Sequence, residues 1–148
     1  DLSNMYYANQ SMTVDERLLQ NDDLLINSTG VGTAGRVNIF NLKDKYFVDS
    51  HVTILRLDTS RLLPLYTLYQ LYYNVGFKNI EKMATGQSGQ IELAIKTIAN
   101  IKIPVPPLSD QQKIVDEIEQ LEKQIAEAQS IINNSKQQKQ AILDRYLK

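Results

Sequence analysis

Residues 109–148 contain neither glycine nor proline, and this constrains the fold more than any other feature of the sequence. Ser109, followed three residues later by Gln112, predicts the start of a helix, because the two side chains can form a capping box. Apolar side chains then recur at alternating steps of four and three residues, which is the heptad pattern of a coiled coil. These heptad residues are Ile114, Ile118, Leu121, Ile125, Ala128, Ile132 and, after two polar positions, Ile142.

A helix over 109–148 would be about 60 Å long. Such a helix cannot bury its apolar stripe on one small domain, so we expect it to pair with another helix. Ser135 and Lys139 occupy heptad positions but are polar. They either set the register of the pairing or form a weak stretch of the seam, and the sequence leaves both interpretations open.

Residues 1–108 have a different pattern, in which glycines and prolines separate short apolar runs. Alternation and helical spacing predict strands at 23–27, 36–40 and 51–56, helices at 62–73 and 79–83, a loop at 86–90 and a short strand at 101–103. Tyr66, Tyr69 and Tyr73 fall at helical spacing, which favours core packing over base stacking. The sequence thus predicts an α+β fold: a small mixed α/β domain at 1–108, then a long C-terminal coiled-coil helix at 109–148.

The composition excludes several functional classes. The chain has no cysteine and one histidine, so we expect neither disulfides nor a zinc site. No apolar run is long enough for a membrane span, and the opening residues do not resemble a signal peptide, so we expect a cytoplasmic protein with no membrane partner. A net charge of −1 argues against nonspecific coating of DNA.

Gly30, Gly32 and Gly35 match the G-x-G-x-x-G pattern of nucleotide-binding loops. That function needs a helix after the third glycine, whereas 36–40 favours a strand, so we interpret the glycines as a turn between two strands. Methyltransferase tetrapeptides, a Walker lysine and nuclease signatures are missing from the sequence. His51 has no recognisable nucleophile beside it and is interpreted as a structural residue. We therefore expect no catalytic residue and no metal site on this chain.

Four stretches, taken in order, resemble the specificity subunit of type I restriction-modification systems over roughly residues 20–148. They are 23–36, 48–56, the Gly/Gln loop at 86–90 and the junction at 103–115. The junction is the most specific, because it joins a strand, a proline stop and a capped heptad helix. The chain departs from the family by having one recognition domain and one helix, and by lacking the usual Trp-rich opening segment. We therefore expect 1–108 to be N-terminally incomplete, and the chain to be either a C-terminal piece or a half-subunit that dimerises.

The resemblance implies a non-catalytic role. Residues 1–108 would be a target recognition domain that reads one half of a split site in double-stranded DNA. Residues 109–148 would pair antiparallel with a second specificity half or another copy, act as a spacer and dock the methyltransferase subunit. The restriction subunit would join the full complex. No cofactor is expected on this chain, and S-adenosylmethionine, ATP and Mg²⁺ are expected on the partner subunits.

Residues that read DNA need side chains that pair with base edges, such as Arg with guanine or Gln with adenine. Two loops offer them, and Lys43, Lys45, Lys78 and Lys82 are candidates for phosphate contacts. The predicted DNA-binding residues are Ser28, Thr29, Thr33, Arg36, Lys78, Lys82, Gln87, Ser88 and Gln90. The competing interpretation is that both loops are tight turns whose polar side chains satisfy backbone groups.

Two other classes of function stay open from the sequence. The chain would serve as the C-terminal recognition module of a fused methyltransferase-nuclease if a catalytic region preceded it. Alternatively, it would be a coiled-coil assembly protein without a DNA role.

Overall fold

The computed structural model describes residues 17–87 and 90–147 and has the predicted α+β fold. Strands β1 (Leu24–Asn27), β2 (Val37–Ile39) and β3 (Val52–Leu55) form an antiparallel sheet in the order β2-β1-β3. The remaining elements are helix α1 (Pro64–Tyr69), a π-helical segment (Gln70–Val75), helix α2 (Phe77–Glu81), strands β4 (Thr85–Gln87) and β5 (Gln90–Glu92), and helices α3 (Ile95–Ala99) and α4 (Leu108–Tyr146).

The sheet buries one face in the core. Leu24 and Ile26 alternate along β1 and are fully buried, because side chains two residues apart in a strand lie on the same face. Helical side chains complete the same cluster, namely Leu71, Ile80 and Ile98, together with Leu93 after β5. The other face of β1 carries Leu25 and Asn27, which are only half-buried.

A buried carboxylate joins the start of β1 to the end of β3, which are neighbours in the antiparallel sheet. Asp23 precedes β1 and accepts two hydrogen bonds from the Arg56 guanidinium, Nε to Oδ1 at 2.8 Å and Nη2 to Oδ2 at 2.7 Å. The amide of Gln20 donates a third bond at 2.7 Å. Because a buried charge is tolerated only when it is paired, this arrangement explains why an aspartate stands at the start of a buried strand. The hydrogen bonds to Asp23 raise the pKa of Arg56.

The helix predicted at 62–73 begins at Pro64 and changes to π-helical geometry at Gln70. The wider turn breaks the 3.6-residue spacing, so the tyrosine stripe does not stay on one face. Tyr66 is 1% exposed and donates a hydrogen bond to the carbonyl oxygen of Pro104, whereas Tyr73 is 60% exposed. Burial also raises the pKa of Tyr66. Core packing is therefore confirmed for Tyr66 and is wrong for Tyr73.

Several short elements differ from the prediction. The second helix spans 77–81 rather than 79–83, and Gly86, Gln87 and Gln90 of the predicted loop lie in strands β4 and β5. Residues 101–103 belong to neither sheet, and α3 was not predicted. Helix α3 begins after Ala94 without a side-chain cap, so the sequence carried no start signal for it.

The chain divides into two compact units between Gln111 and Gln112. Helix α4 has 39 residues and begins at Leu108, so Ser109 lies in its first turn rather than at its cap. Its heptad residues Leu121 and Ile125 are 56% and 61% exposed. Among the helices of the described residues, none has the length together with the apolar character that crossing a membrane requires.

Candidate nucleic-acid interface

The three glycines after β1 form the turn of the β1–β2 hairpin, which confirms the turn interpretation. Their φ angles are +88° at Gly30, +78° at Gly32 and +86° at Gly35, a region that glycine enters without steric cost. Gly35 also lies against α2, because a Cβ there would stand 2.9 Å from both the Cβ of Ile80 and the carbonyl oxygen of Phe77. The turn is thus held directly on a helix by a position where only glycine fits.

The β4–β5 hairpin lies beside this turn. Thr29 and Glu92 form an antiparallel bridge, the Leu93 amide donates to the Ser28 carbonyl at 2.7 Å, and the Gly30 amide donates to the Ile91 carbonyl at 3.3 Å. The two loops that were predicted separately to read DNA are therefore joined by backbone hydrogen bonds. The contact joins residues 28–30 to residues 91–93, which are far apart in the sequence, and no periodicity in the sequence indicates it.

Three cationic side chains lie on or next to the same helix. Lys78 is part of α2, Lys82 follows its last residue, and both are exposed. The Arg36 guanidinium lies 5.8 Å from the centre of the Phe77 ring, which is within cation–π range. Within the described residues, none of the three forms a salt bridge. All three charges are therefore available to a polyanion.

The hydroxyl groups of the glycine turn serve the fold. Ser28 is buried, and its Oγ lies 2.7 Å from Thr53 Oγ1. Thr33 Oγ1 donates to the carbonyl oxygens of Thr29 at 2.9 Å and Gly30 at 3.1 Å. Thr29 Oγ1 lies 3.1 Å from His51 Nδ1, which agrees with a structural role for this histidine. The competing interpretation, in which turn side chains satisfy local polar groups, thus describes these three residues well.

The longer side chains among the predicted DNA-binding residues are exposed to solvent, unlike the three hydroxyl residues of the turn. Arg36, Gln87 and Gln90 are exposed, and Gln87 pairs with Gln90 in the register of the hairpin. Gly86 permits this hairpin, since a Cβ there would lie 2.0 Å from the carbonyl oxygen of Gln90. The predicted residue Ser88 lies outside the described residues. Among the predicted base-reading residues that the structure describes, the exposed side chains are therefore one guanidinium and two carboxamides.

One residue of the site was missed by the sequence analysis. The Glu81 carboxylate, at the end of α2, accepts a hydrogen bond from the amide of Gly32 at the tip of the turn. The two residues are 49 positions apart, and an isolated glutamate in a short helix gives no sequence signal of such a contact. Two neighbours therefore hold the turn: Glu81 of α2 accepts the hydrogen bond from Gly32, and Ile91 of the β4–β5 hairpin accepts one from Gly30.

We expect Glu81→Ala to loosen the turn and Glu81→Gln to leave it largely intact. Alanine leaves the Gly32 amide without its acceptor and should lower the free energy of unfolding by about 1–2 kcal/mol. Glutamine keeps an acceptor oxygen at the same reach. Hydrogen exchange at the Gly32 amide, with urea unfolding of the same variants, measures the effect. Equal exchange rates in the alanine and glutamine variants would show that the carboxylate does not hold the turn.

The fold and the site define a class: a small α+β domain with two joined polar loops, continued by a long helix with an exposed heptad stripe. The chain belongs to the type I restriction modification DNA specificity domain family, whose family model matches residues 2–137. It is also 33% identical over 101 residues to a type I restriction enzyme specificity subunit of Haemophilus influenzae. That match covers 68% of this chain and 24% of the relative, so the chain spans about a quarter of the relative's length. The resemblance stated from the sequence is confirmed.

Proposed function

We propose that this chain is a non-catalytic DNA sequence-recognition module of a type I restriction-modification enzyme, and that it reads one half of a split target. One observation carries the proposal: the glycine turn and the β4–β5 hairpin are joined by the Gly30–Ile91 and Leu93–Ser28 backbone bonds. Readout of base edges requires side chains held in a fixed geometry, and loops on a rigid core supply it. Membership of the DNA specificity domain family supports the same conclusion.

The side chains of the site suggest a division of roles. Arg36, Gln87 and Gln90 are exposed and have donors that match base edges, whereas Lys78 and Lys82 have the mobile point charges suited to phosphates. The whole chain carries a net charge of −1, so it can neutralise few phosphates alone. Tight binding therefore depends on a methyltransferase subunit that supplies further phosphate contacts.

The long helix has the second role in this proposal. Its heptad residues are exposed, as at Leu121 and Ile125, which suits antiparallel pairing with a second specificity half or another copy. The paired helices would set the spacing between two half-sites and dock the methyltransferase subunits. Methylation with S-adenosylmethionine, and restriction with ATP and Mg²⁺, would belong to the methyltransferase and restriction subunits.

A salt titration of DNA binding tests the proposal. The protein is assembled with its methyltransferase subunits, and its affinity for cognate and scrambled duplexes is measured over a range of salt concentrations. Arg36→Ala and Gln87→Ala should each reduce the discrimination between the duplexes by about 1–3 kcal/mol, with little change in the salt slope. The physical reason is that base contacts carry sequence information and phosphate contacts do not.

The lysine variants provide the matched comparison. Lys78→Ala and Lys82→Ala should weaken binding to both duplexes alike and lower the salt slope by about one each, because each phosphate contact releases counterions. Discrimination that is unchanged in both Arg36→Ala and Gln87→Ala would place the readout elsewhere. An assembled complex that binds the two duplexes equally would contradict the proposed function itself.

A further inference from the structure

The β1–β2 hairpin presents a polar face away from the core. Leu25 is paired with Asn38 in the sheet register, and the Asn27 amide donates to the Arg36 carbonyl at 3.0 Å. These four residues lie on the side opposite the buried Leu24 and Ile26, because strand side chains alternate. We call Leu25, Asn27, Arg36 and Asn38 the outer face. Three of its four side chains are of types that pair with bases.

The four residues of the outer face line part of an open groove. The groove has a volume of about 600 Å³, and the rest of its lining is Val48, Val52, Tyr72 and Phe77, together with Val37 of β2. The lining contains one cation and no acidic residue. The lining therefore has no group that repels a polyanion, and it places Asn27, Arg36 and Asn38 among apolar and aromatic side chains.

Two side chains of the outer face, Arg36 and Asn38, have hydrogen-bond donors that a ligand can reach, and a contact within the protein orients each side chain. The Arg36 guanidinium is exposed and lies over the Phe77 ring at 5.8 Å. Asn38 is also exposed, and its Oδ1 accepts a hydrogen bond from the Ile39 amide at 2.8 Å. This bond uses one of the two lone pairs of the oxygen and fixes which way the carboxamide points. Within the described residues, its NH₂ group has no hydrogen-bond partner.

We propose that the outer face lies against the major groove of the DNA, where Arg36 reads a guanine and Asn38 reads an adenine with one base pair between them. Both side chains are exposed, and Arg–guanine and Asn–adenine are the bidentate pairings that the geometry of the bases favours. Residues two apart in a strand are about 6.6–6.8 Å apart, which matches two base steps of about 3.4 Å each. The inference rests on the proposed function and deepens it, since Asn38 and the spacing of the two bases were not predicted from the sequence.

The experiment uses the natural protein that contains this sequence, assembled with its methyltransferase subunits. The complex methylates a DNA library with randomised positions, and sequencing of the methylated sites gives the preference at each position. Asn38→Ala should reduce the preference for adenine at one position by roughly ten-fold or more, and Arg36→Ala should relax a guanine two steps away. Asn38→Asp should shift the first position towards cytosine, because a carboxylate accepts a hydrogen bond from cytosine N4.

The Asn38→Asp variant also guards against a trivial loss of fold, because aspartate keeps an acceptor for the Ile39 amide. Asn100→Ala is the matched control: it removes an exposed asparagine at the end of α3, outside the groove, and should leave every preference unchanged. Unchanged preferences in both Asn38 variants would overturn the inference, as would two relaxed positions that are not separated by one base pair. In either case a sequence-dependent wild-type complex would keep the proposed function. A wild-type complex that methylates without regard to sequence would contradict both.

Discussion

A chain that carries Leu121→Asp and Ile125→Asp should no longer associate through its long helix. Both side chains occupy the heptad stripe of α4 and are 56% and 61% exposed in the single chain, so pairing is what would bury them. Aspartate at these positions places unpaired charges in the seam of the paired helices. A buried charge that has no partner costs about 3–5 kcal/mol, which corresponds to an increase of the dissociation constant by two or more orders of magnitude.

Sedimentation velocity over a range of protein concentrations measures this effect. Gln120→Asp with Ser130→Asp is the matched control, since these residues lie on the same helix, outside the heptad stripe, and add the same charge. The control should associate like the native chain. A native chain that sediments as a monomer throughout the range, or a control that dissociates as readily as the stripe variant, would contradict pairing through these heptad residues.

The same helix shows which parts of the fold can be predicted from the sequence. Its start was predicted within one residue of Leu108. The capping box predicted at Ser109 was wrong, because Ser109 lies inside the first turn of the helix. The prediction of the helix succeeded because heptad spacing and the absence of glycine and proline are local signals that agree over many turns. The glycine turn was predicted for the same reason, since positive φ angles at Gly30, Gly32 and Gly35 are a local requirement of the hairpin. The π-helical segment was not, because a single wider turn leaves no periodic signal.

The short elements and the assembly of the site depend on contacts between distant residues. Strand β5 is only three residues long and is held through Glu92 against Thr29, so its existence depends on a partner from another part of the chain. In the site, Arg36 and Gln87 were expected to contact bases because of the chemistry of their side chains, and that role stays a prediction. That Ser28 turns inward towards Thr53, and that Glu81 reaches Gly32, follows from packing alone. A short polar side chain can serve either the fold or a ligand, and its sequence neighbours do not decide between them.

Gln111 ends the first compact unit and is the site of the second large effect that we expect. Its side chain is 0% exposed, and its carboxamide makes three hydrogen bonds. Oε1 accepts from the Leu63 amide at 2.9 Å, and Nε2 donates to the carbonyl oxygens of Arg61 and Pro106, both at 2.8 Å. One side chain at the start of α4 thus satisfies three backbone groups, two of them in the segment before α1 and one in the proline segment. The sequence analysis placed Gln111 in the junction stretch but gave it no role.

Gln111→Met should lower the free energy of unfolding by about 3 kcal/mol, because it keeps the volume of the side chain but leaves one part-buried amide and two part-buried carbonyl groups without their partner. Gln111→Glu should be at least as harmful, since a carboxylate oxygen would replace Nε2 and face both carbonyl oxygens. Urea unfolding followed by circular dichroism measures the change. The neighbouring Gln112 is exposed and donates a surface hydrogen bond to Asp116 at 2.7 Å, so Gln112→Met should change the free energy of unfolding by less than about 0.5 kcal/mol. If the two methionine variants unfold at the same urea concentration, the Gln111 carboxamide does not hold the junction together, and the three backbone groups must find other partners.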